Sequence, residues 1–167
     1  MGVGGADDAF VLALLNTTPT VHGQPRDALS DDASAARWVA EHVDDPPART
    51  DFGLLRQIPD GLQCIVRGEA PPAVLQPALQ EVTSRPAICD EGLRWELTAP
   101  SANELSVRAV LAWDALQTAA PGRVRPCANG ECSLFLIDRS KSNSARWCSM
   151  AGCGNRLKAR RHYRRRS

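Results

Sequence analysis

The chain has 167 residues, of which 43% are hydrophobic and 23% are charged, and its formal net charge is +1. This length suits one ordinary domain, or one domain with a small module attached. No apolar stretch approaches a membrane span, and the acidic N-terminal segment lacks the basic residues of a signal peptide. Six cysteines are too few for a disulfide-rich secreted fold, so we expect a cytoplasmic protein with reduced thiols and no membrane partner.

The small net charge conceals an uneven distribution. Residues 123–167 contain twelve basic and two acidic residues, a net charge of +10, whereas residues 1–122 carry a net charge of −9. Such asymmetry indicates that the C-terminal part binds a polyanion. It also argues against nucleic acid lying across the acidic part.

Two helices are predicted in the first part of the chain. Residues 9–15 are apolar and follow two acidic residues, which favours a helix that ends at Asn16 and the following Thr-Thr-Pro. Asn16 is interpreted as a cap or turn residue. A second helix is predicted over 33–43, capped by Asp31 or Asp32. Its apolar face is predicted to consist of Ala36, Val39, Ala40 and Val43, with Trp38 beside it.

The next two helical segments each contain a proline. A helix is predicted from Thr50 or Asp51 to about Arg67, and we expect Pro59 to kink it or split it in two. The reason is that proline lacks the N–H group and crowds the preceding turn. A further helix is predicted over 72–84, which either begins nearer Leu75, with Pro77 in its first turn, or bends at Pro77.

A hairpin and a longer helix complete the N-terminal part. Residues 87–89 and 93–97 read as strands separated by a short Asp/Glu/Gly turn. Ser101-Ala-Asn-Glu104 has the sequence of a capping box, which predicts a helix over 102–120. Only a few residues separate this helix from Cys127, so the C-terminal module (residues 123–167) is predicted to be held against the helices.

Four of the cysteines form two pairs with the same spacing. Four residues separate Cys127 from Cys132 and Cys148 from Cys153, and fifteen residues lie between the pairs. A short turn can aim two sulfurs at one point, and two turns complete the tetrahedral thiolate shell of structural zinc. We therefore predict one structural Zn²⁺ per chain. Two disulfides, which need an oxidising compartment, or four unrelated buried cysteines are the alternatives.

The residues around these cysteines predict how the module is built. Asn129-Gly130 readily takes positive φ and would form a tight knuckle, and the apolar run 134–137 predicts a strand covered on both faces. The polar residues 138–144 would cap a short helix leading into Cys148, and Asn155 would cap a final helix. Two knuckles around a hairpin, the second feeding a helix, form the treble-clef plan.

The end of the chain is strongly basic. Arginine offers paired N–H groups that match phosphate oxygens, so we interpret this segment as an arm that contacts phosphates. A solvated basic tail is the alternative. The residues predicted to contact nucleic acid are Arg146, Arg156, Lys158, Arg160, Arg161, Arg164, Arg165 and Arg166.

Trp147-Cys-Ser-Met150 and Cys153-Gly-Asn-Arg156, with Asp138 and Ser140 before them, resemble the CGNR zinc finger. The N-terminal part is similar to the ABATE domain that usually precedes this finger. The supporting stretches there are 14–17, 27–29, 36–38 and 67–72. The family usually has two arginines before the tryptophan, and here Ala145 replaces the first, which would weaken a basic contact.

The resemblance implies an α+β, mainly α fold with zinc at the four paired cysteines. A helical ABATE-like domain with a small β-hairpin would occupy residues 1–122, and a treble-clef-like four-cysteine zinc finger with a basic tail would occupy residues 123–167. The family is described as stress-induced transcriptional regulators of bacteria, which makes DNA the expected partner. Such a protein would be cytoplasmic, and nucleoid-associated if it binds DNA.

The leading hypothesis is therefore a zinc-dependent DNA-binding transcriptional regulator, whose helical domain senses a signal or forms a homodimer. The alternative is an RNA- or protein-binding module in which zinc is purely structural. An enzyme is disfavoured because four thiolates leave no coordination position for water. The three histidines, His22, His42 and His162, are also scattered along the chain.

Overall fold

The fold is given by a computed structural model that describes residues 5–21, 23–156 and 158. The elements are, in chain order, α1 (Gly5–Leu15), β1 (Thr20–Val21), β2 (Gln24–Pro25), α2 (Asp32–His42), α3 (Phe52–Arg67), a 3₁₀ helix (Pro72–Leu79), β3 (Thr83–Cys89), β4 (Gly92–Thr98), α4 (Glu104–Ala119), β5 (Val124–Pro126) and β6 (Phe135–Ile137). The six strands form three separate two-stranded antiparallel sheets. The predicted α+β, mainly helical fold is confirmed.

The hydrophobic core lies where α1, α3 and α4 pack together. Val11, Leu14 and Leu15 of α1 are completely buried, which explains why this helix is apolar on all sides. Gln63 of α3 is also buried, and its amide donates to the Leu15 carbonyl (3.0 Å) and to Thr18 Oγ1 (2.9 Å). Gln63 thereby satisfies a carbonyl that the end of α1 leaves without a helical partner.

The sequence correctly predicts the N-terminal cap of α2, but two of the four residues predicted to face the core are exposed. Asp31 accepts a hydrogen bond from the Ser34 N–H (2.8 Å). Val39 is buried as predicted, whereas Ala36 and Ala40 are exposed. The buried residues are instead Ala35, Trp38, Val39 and, just after the helix, Val43. Trp38 has by far the largest apolar surface of the helix, and its burial decides which side faces the core.

The two prolines inside helical segments have different outcomes. Asp51 caps α3 through the Leu54 N–H (2.9 Å), and the helix continues past Pro59 to Gly68, which takes a left-handed φ of 76°. Pro59 does not split the helix, and it is one of the buried residues of α3. The helix predicted over 72–84 is instead a 3₁₀ helix that ends at Leu79.

The region before α4 also differs from its prediction. A short 3₁₀ turn over 101–103 precedes α4, and no side chain caps the first residue of the helix. The expected capping box is therefore wrong, because the Asn103 N–H bonds to the Pro100 carbonyl (2.9 Å) in that turn. Among the described residues, no helix has the length and apolar character to cross a membrane.

The C-terminal strand β6 is fastened to the end of α1. The Asn16 side chain accepts from the Phe135 N–H (2.8 Å) and donates to the Phe135 carbonyl (3.3 Å). Phe135 and Leu136 are buried, and the Arg67 guanidinium lies 4.9 Å from the centre of the Phe135 ring. The prediction that this strand is covered on both faces is confirmed. Asn16 does more than end α1, because its amide pairs with β6 as a neighbouring strand would.

Candidate metal centre

The four paired cysteines converge on one point. Their sulfur atoms, called here the four-thiol cluster, all lie within 4.8 Å of one another, and Cys148 Sγ is 3.7 Å from both Cys132 Sγ and Cys153 Sγ. A tetrahedron with Zn–S bonds of about 2.3 Å has edges of about 3.8 Å. The geometry of the four-thiol cluster therefore fits a tetrahedral thiolate-bound ion. Cys127 and Cys153 are buried, whereas Cys132 and Cys148 are half-buried.

The first knuckle is shaped by the Asn129 side chain. The Cys132 N–H donates to the Asn129 carbonyl (2.8 Å), and the Glu131 N–H donates to Asn129 Oδ1 (3.4 Å). The predicted positive φ at Asn129-Gly130 is wrong, because neither residue has a left-handed backbone. A side chain that bonds the backbone two residues ahead makes the turn instead.

Asn129 also joins the first knuckle to the second. It is buried, and its Nδ2 donates to Cys153 Sγ (3.4 Å). From the other side, the Cys148 N–H donates to Cys127 Sγ (3.4 Å). Hydrogen bonds of this kind orient thiolates and offset part of their negative charge when they bind a metal.

The second knuckle differs from its prediction in two respects. Residues 144–149 contain no helix, so the short helix expected before Cys148 is absent. Ser149, and not Asn155, caps the following turn: its Oγ accepts from the Gly152 N–H (3.0 Å), while Asn155 is itself helical. A side chain at Gly154 would place its Cβ 2.8 Å from Met150 Sδ. A larger residue after Cys153 would therefore force the exposed Met150 side chain to move.

Within the four-thiol cluster, the pKa is shifted in opposite directions for different cysteines. Burial raises the pKa of Cys132 and of Cys148, and neighbouring thiols raise that of Cys148 further. Burial acts in the same direction on Cys153, but the hydrogen bonds from Asn129 and from the other thiols outweigh it and lower the pKa of Cys153. A divalent cation would displace these protons on binding, which couples metal affinity to pH.

The loop between β6 and the second knuckle is organised by Asp138. Its buried carboxylate accepts from the Ser140 N–H (2.8 Å) and the Ala145 N–H (2.8 Å), and lies 3.4 Å from Arg125 Nη2. Hydrogen bonds from Ser140, partly opposed by burial, lower the pKa of Asp138, and Ala145 and Arg125 add to this effect. The sequence places Asp138 in a polar turn and in the resemblance, but it does not predict that its carboxylate holds this loop together.

The basic residues of the module fall into two groups. Arg123 donates to the carbonyls of Asp138 (2.9 Å) and Ser140 (2.6 Å), and Arg139 lies 3.4 Å from Asp8 of α1. These arginines, with Arg125, are engaged within the protein. The predicted contact residues Arg146, Arg156 and Lys158 are exposed. The other predicted contacts, Arg160, Arg161, Arg164, Arg165 and Arg166, lie outside the described residues.

One exposed cation lies beside the four-thiol cluster, and a second contacts the tryptophan that precedes Cys148. The Arg146 guanidinium lies 5.3 Å from the centre of the Trp147 ring, directly before Cys148. Arg156 lines a cleft of about 200 Å³ together with Cys132, Cys148 and Cys153. Arg156, a predicted phosphate contact, therefore lies in the same cleft as the half-buried thiols of Cys132 and Cys148.

Residues 123–166 match the family model of the CGNR zinc finger. This segment contains all four cysteines of the four-thiol cluster together with Asp138 and Asn129. No curated protein matches the chain. The segment is thus similar to CGNR zinc fingers, and its four thiols form a site that could hold a metal ion, for which the family indicates zinc.

Proposed function

We propose that this protein is a zinc-dependent DNA-binding transcriptional regulator of the bacterial cytoplasm. In this proposal an ABATE-like helical domain senses a signal or self-associates, and the C-terminal module contacts DNA. One observation carries the proposal: an exposed arginine, Arg156, lies beside a four-thiol cluster inside a segment similar to CGNR zinc fingers. The net charge of +10 in residues 123–167 supports it, because phosphates dominate affinity for DNA.

Some arginines of the module are bonded within the protein and others are exposed, and this difference indicates which surface would contact DNA. Arg123 and Arg125 bond to the Asp138 loop, so they are poorly placed to neutralise phosphates, whereas Arg139 reaches Asp8 of α1 and keeps most of its side chain exposed. Arg146, Arg156 and Lys158 have exposed side chains, and the basic sequence that follows adds further charge. We therefore place the DNA on the side of the second knuckle.

Zinc would act as a structural ion in this mechanism. Four thiolates complete its coordination shell, which leaves no position for a catalytic water. The chain's contribution is to orient these thiolates through Asn129 and the Cys148 N–H, and to hold Arg156 beside them. The proposal is accordingly one of binding and not of catalysis.

The test is fluorescence anisotropy with the zinc-loaded full chain and labelled duplex DNA over a range of salt concentrations. If about six phosphates are neutralised, log K should fall with log salt at a slope near −5. The triple variant Arg164→Ala, Arg165→Ala, Arg166→Ala should flatten that slope by up to about 3.

The matched control is the triple variant Arg26→Ala, Arg37→Ala, Arg49→Ala, which removes the same charge from exposed positions of the N-terminal part. It should leave the slope unchanged. Equal slopes for the wild type and the Arg164–Arg166 variant would remove the basic tail from the interface.

RNA is the second candidate partner, and one observation favours it. Arg146 stacks on the half-buried ring of Trp147, and flat groups of this kind are the platforms on which unpaired bases stack. Competition between duplex DNA and a structured RNA of equal length separates the two proposals. Displacement of DNA by a lower concentration of the RNA would favour the RNA-binding alternative.

A further inference from the structure

The hairpin of β3 and β4 is an exposed apolar surface. No residue of either strand is buried. Four large apolar side chains are exposed to the following extents: Ile88 82%, Leu93 63%, Trp95 64% and Leu97 44%. A two-stranded hairpin is marginally stable by itself in water, and an apolar patch of this kind usually marks an interaction surface.

The register of the hairpin places these side chains on one face. Cys89 pairs with Gly92 across a two-residue loop, Ile88 with Leu93, and Pro86 with Trp95. Directly opposed residues share a face, so Ile88, Leu93, Trp95 and Leu97 lie together. The opposite face carries the charged residues, where Glu96 lies 2.9 Å from Arg94 and 3.7 Å from Arg85.

The same register determines which backbone groups point away from the hairpin. The pair that closes a two-residue loop is hydrogen-bonded, and pairs alternate along an antiparallel ladder. The N–H and C=O groups of Leu93, Trp95 and Leu97 therefore point outward from β4. In the part of the chain that the structure describes, this sheet has only two strands, so that edge has no strand partner.

The outer edge of β3 is blocked, whereas that of β4 is open. Pro86 occupies the central outward-pointing position of β3 and has no N–H to donate. Proline at an edge is a common means of preventing strand addition. β4 contains no proline, so a partner strand can pair with β4 alone.

We propose that β4 pairs with β4 of a second copy of this chain, which makes the protein a homodimer. The two strands run antiparallel about a twofold axis at Trp95, with Leu93 opposite Leu97 of the second copy. The result is a four-stranded sheet whose single apolar face combines both hairpins. Four strands exceed the three that a sheet needs for independent stability.

Charge selects this register over its neighbours. With the axis at Trp95, Arg94 of each copy lies directly opposite Glu96 of the other, so both contacts are attractive. Moving the axis by one residue in one direction would place Arg94 opposite Arg94, and in the other direction Glu96 opposite Glu96. Like charges directly opposite each other destabilise a ladder.

Sedimentation equilibrium of the zinc-loaded full chain gives the first test. The wild type should show twice the 18.0 kDa mass of the chain. Arg94→Glu and Glu96→Arg, each alone, put like charges at both symmetric contacts and should weaken dimerisation about tenfold or more. An equimolar mixture of the two variants restores opposite charges at both contacts and should dimerise as the wild type does.

A second pair of variants tests the edge independently of charge. Leu97→Pro removes an outward N–H of β4 without touching the ladder between β3 and β4, so it should abolish the dimer. Ser84→Pro removes an outward N–H of β3 at the directly opposed position and should leave the dimer intact. Circular dichroism checks that each variant is folded.

The proposal is overturned by a monomeric wild type at all accessible concentrations. It is equally overturned if Leu97→Pro remains dimeric while folded, or if the mixture of charge variants dimerises no better than each variant alone. None of these measurements involves nucleic acid, so they stand apart from the proposed DNA binding.

Discussion

Two of the three two-stranded sheets in the described part of the chain, β3 with β4 and β5 with β6, differ in how deeply they are buried. The ladder of β5 and β6 is three residues long, yet Val124, Phe135 and Leu136 in it are buried. The ladder of β3 and β4 is seven residues long, and none of its residues is buried. Ladder length therefore does not decide which hairpin joins the core.

The difference lies in what surrounds each ladder. The short one adjoins the four-thiol cluster and the Asp138 loop, and the Asn16 side chain from the end of α1 bonds directly to the backbone of its strand β6. The long one depends on its own ladder and on ion pairs at Glu96. The short hairpin is thus stabilised by residues that are distant in the sequence, whereas the long one is not. Four substitutions test this contrast between the two hairpins.

The largest difference should come from the cysteines. Cys148→Ser should abolish stoichiometric zinc binding and unfold the module, because structural zinc contributes on the order of 10–16 kcal/mol in small fingers. Elemental analysis and near-UV circular dichroism measure both effects. Cys89→Ser, in the exposed hairpin, is the control and should retain about one zinc per chain. A wild-type protein purified without zinc would contradict the prediction.

The next largest difference concerns apolar side chains. Phe135→Ala should lower the free energy of unfolding by about 3–5 kcal/mol, because it leaves a cavity among buried groups. Ile88→Ala, in the exposed hairpin, should change it by no more than about 0.5 kcal/mol. Urea unfolding at saturating zinc compares the two variants. Similar losses for both would mean that the long hairpin is covered after all.

The joint between the hairpin of β5 and β6 and the helices gives a smaller effect. Asn16→Ala should cost about 1–3 kcal/mol, because it leaves the Phe135 N–H and C=O without partners. Wild-type protein should resist proteolysis between residues 120 and 126, and Asn16→Ala should be cleaved there faster. Thr98→Ala, at the base of the exposed hairpin, should leave the cleavage rate unchanged. Rapid cleavage of the wild type would show that the module is only tethered.

The smallest effect is expected at Ala145. Only its N–H is used, as a donor to Asp138, so Ala145→Arg should restore a basic side chain without loss of stability. One added phosphate contact should steepen the salt slope of DNA binding by about 1. Ala87→Arg, in the exposed hairpin, should leave the slope unchanged. An equal change in both variants would indicate a nonspecific effect of charge.

Local signals predicted the features that depend on neighbouring residues. The caps at Asp31 and Asp51 and the end of α3 at Gly68 follow from residues within a turn of each helix. The convergence of the four thiols follows from their spacing, because each short turn restricts where its two sulfurs can point. These inferences need no knowledge of the rest of the fold.

Features that depend on distant residues were missed. Asn16 and Phe135 are 119 positions apart, and no local pattern pairs an amide at a helix end with a strand backbone. Asn129 was expected to bend the chain through its backbone, whereas it does so through its side chain and reaches Cys153 as well. The orientation of α2 depends on where Trp38 finds space in the core.

The hydrogen bonds between β6 and Asn16 determine whether the segment similar to CGNR zinc fingers can fold outside this protein. A truncated chain that begins at residue 123 would carry all four thiols of the cluster, but it would expose Phe135 to water and leave the Phe135 backbone unpaired. If this segment is fused to another protein, we expect it to aggregate unless that protein provides an apolar surface that covers Phe135. It would also need a side-chain amide in the place of Asn16. The smallest part of the chain that folds by itself is therefore expected to be larger than the segment that contains the four-thiol cluster.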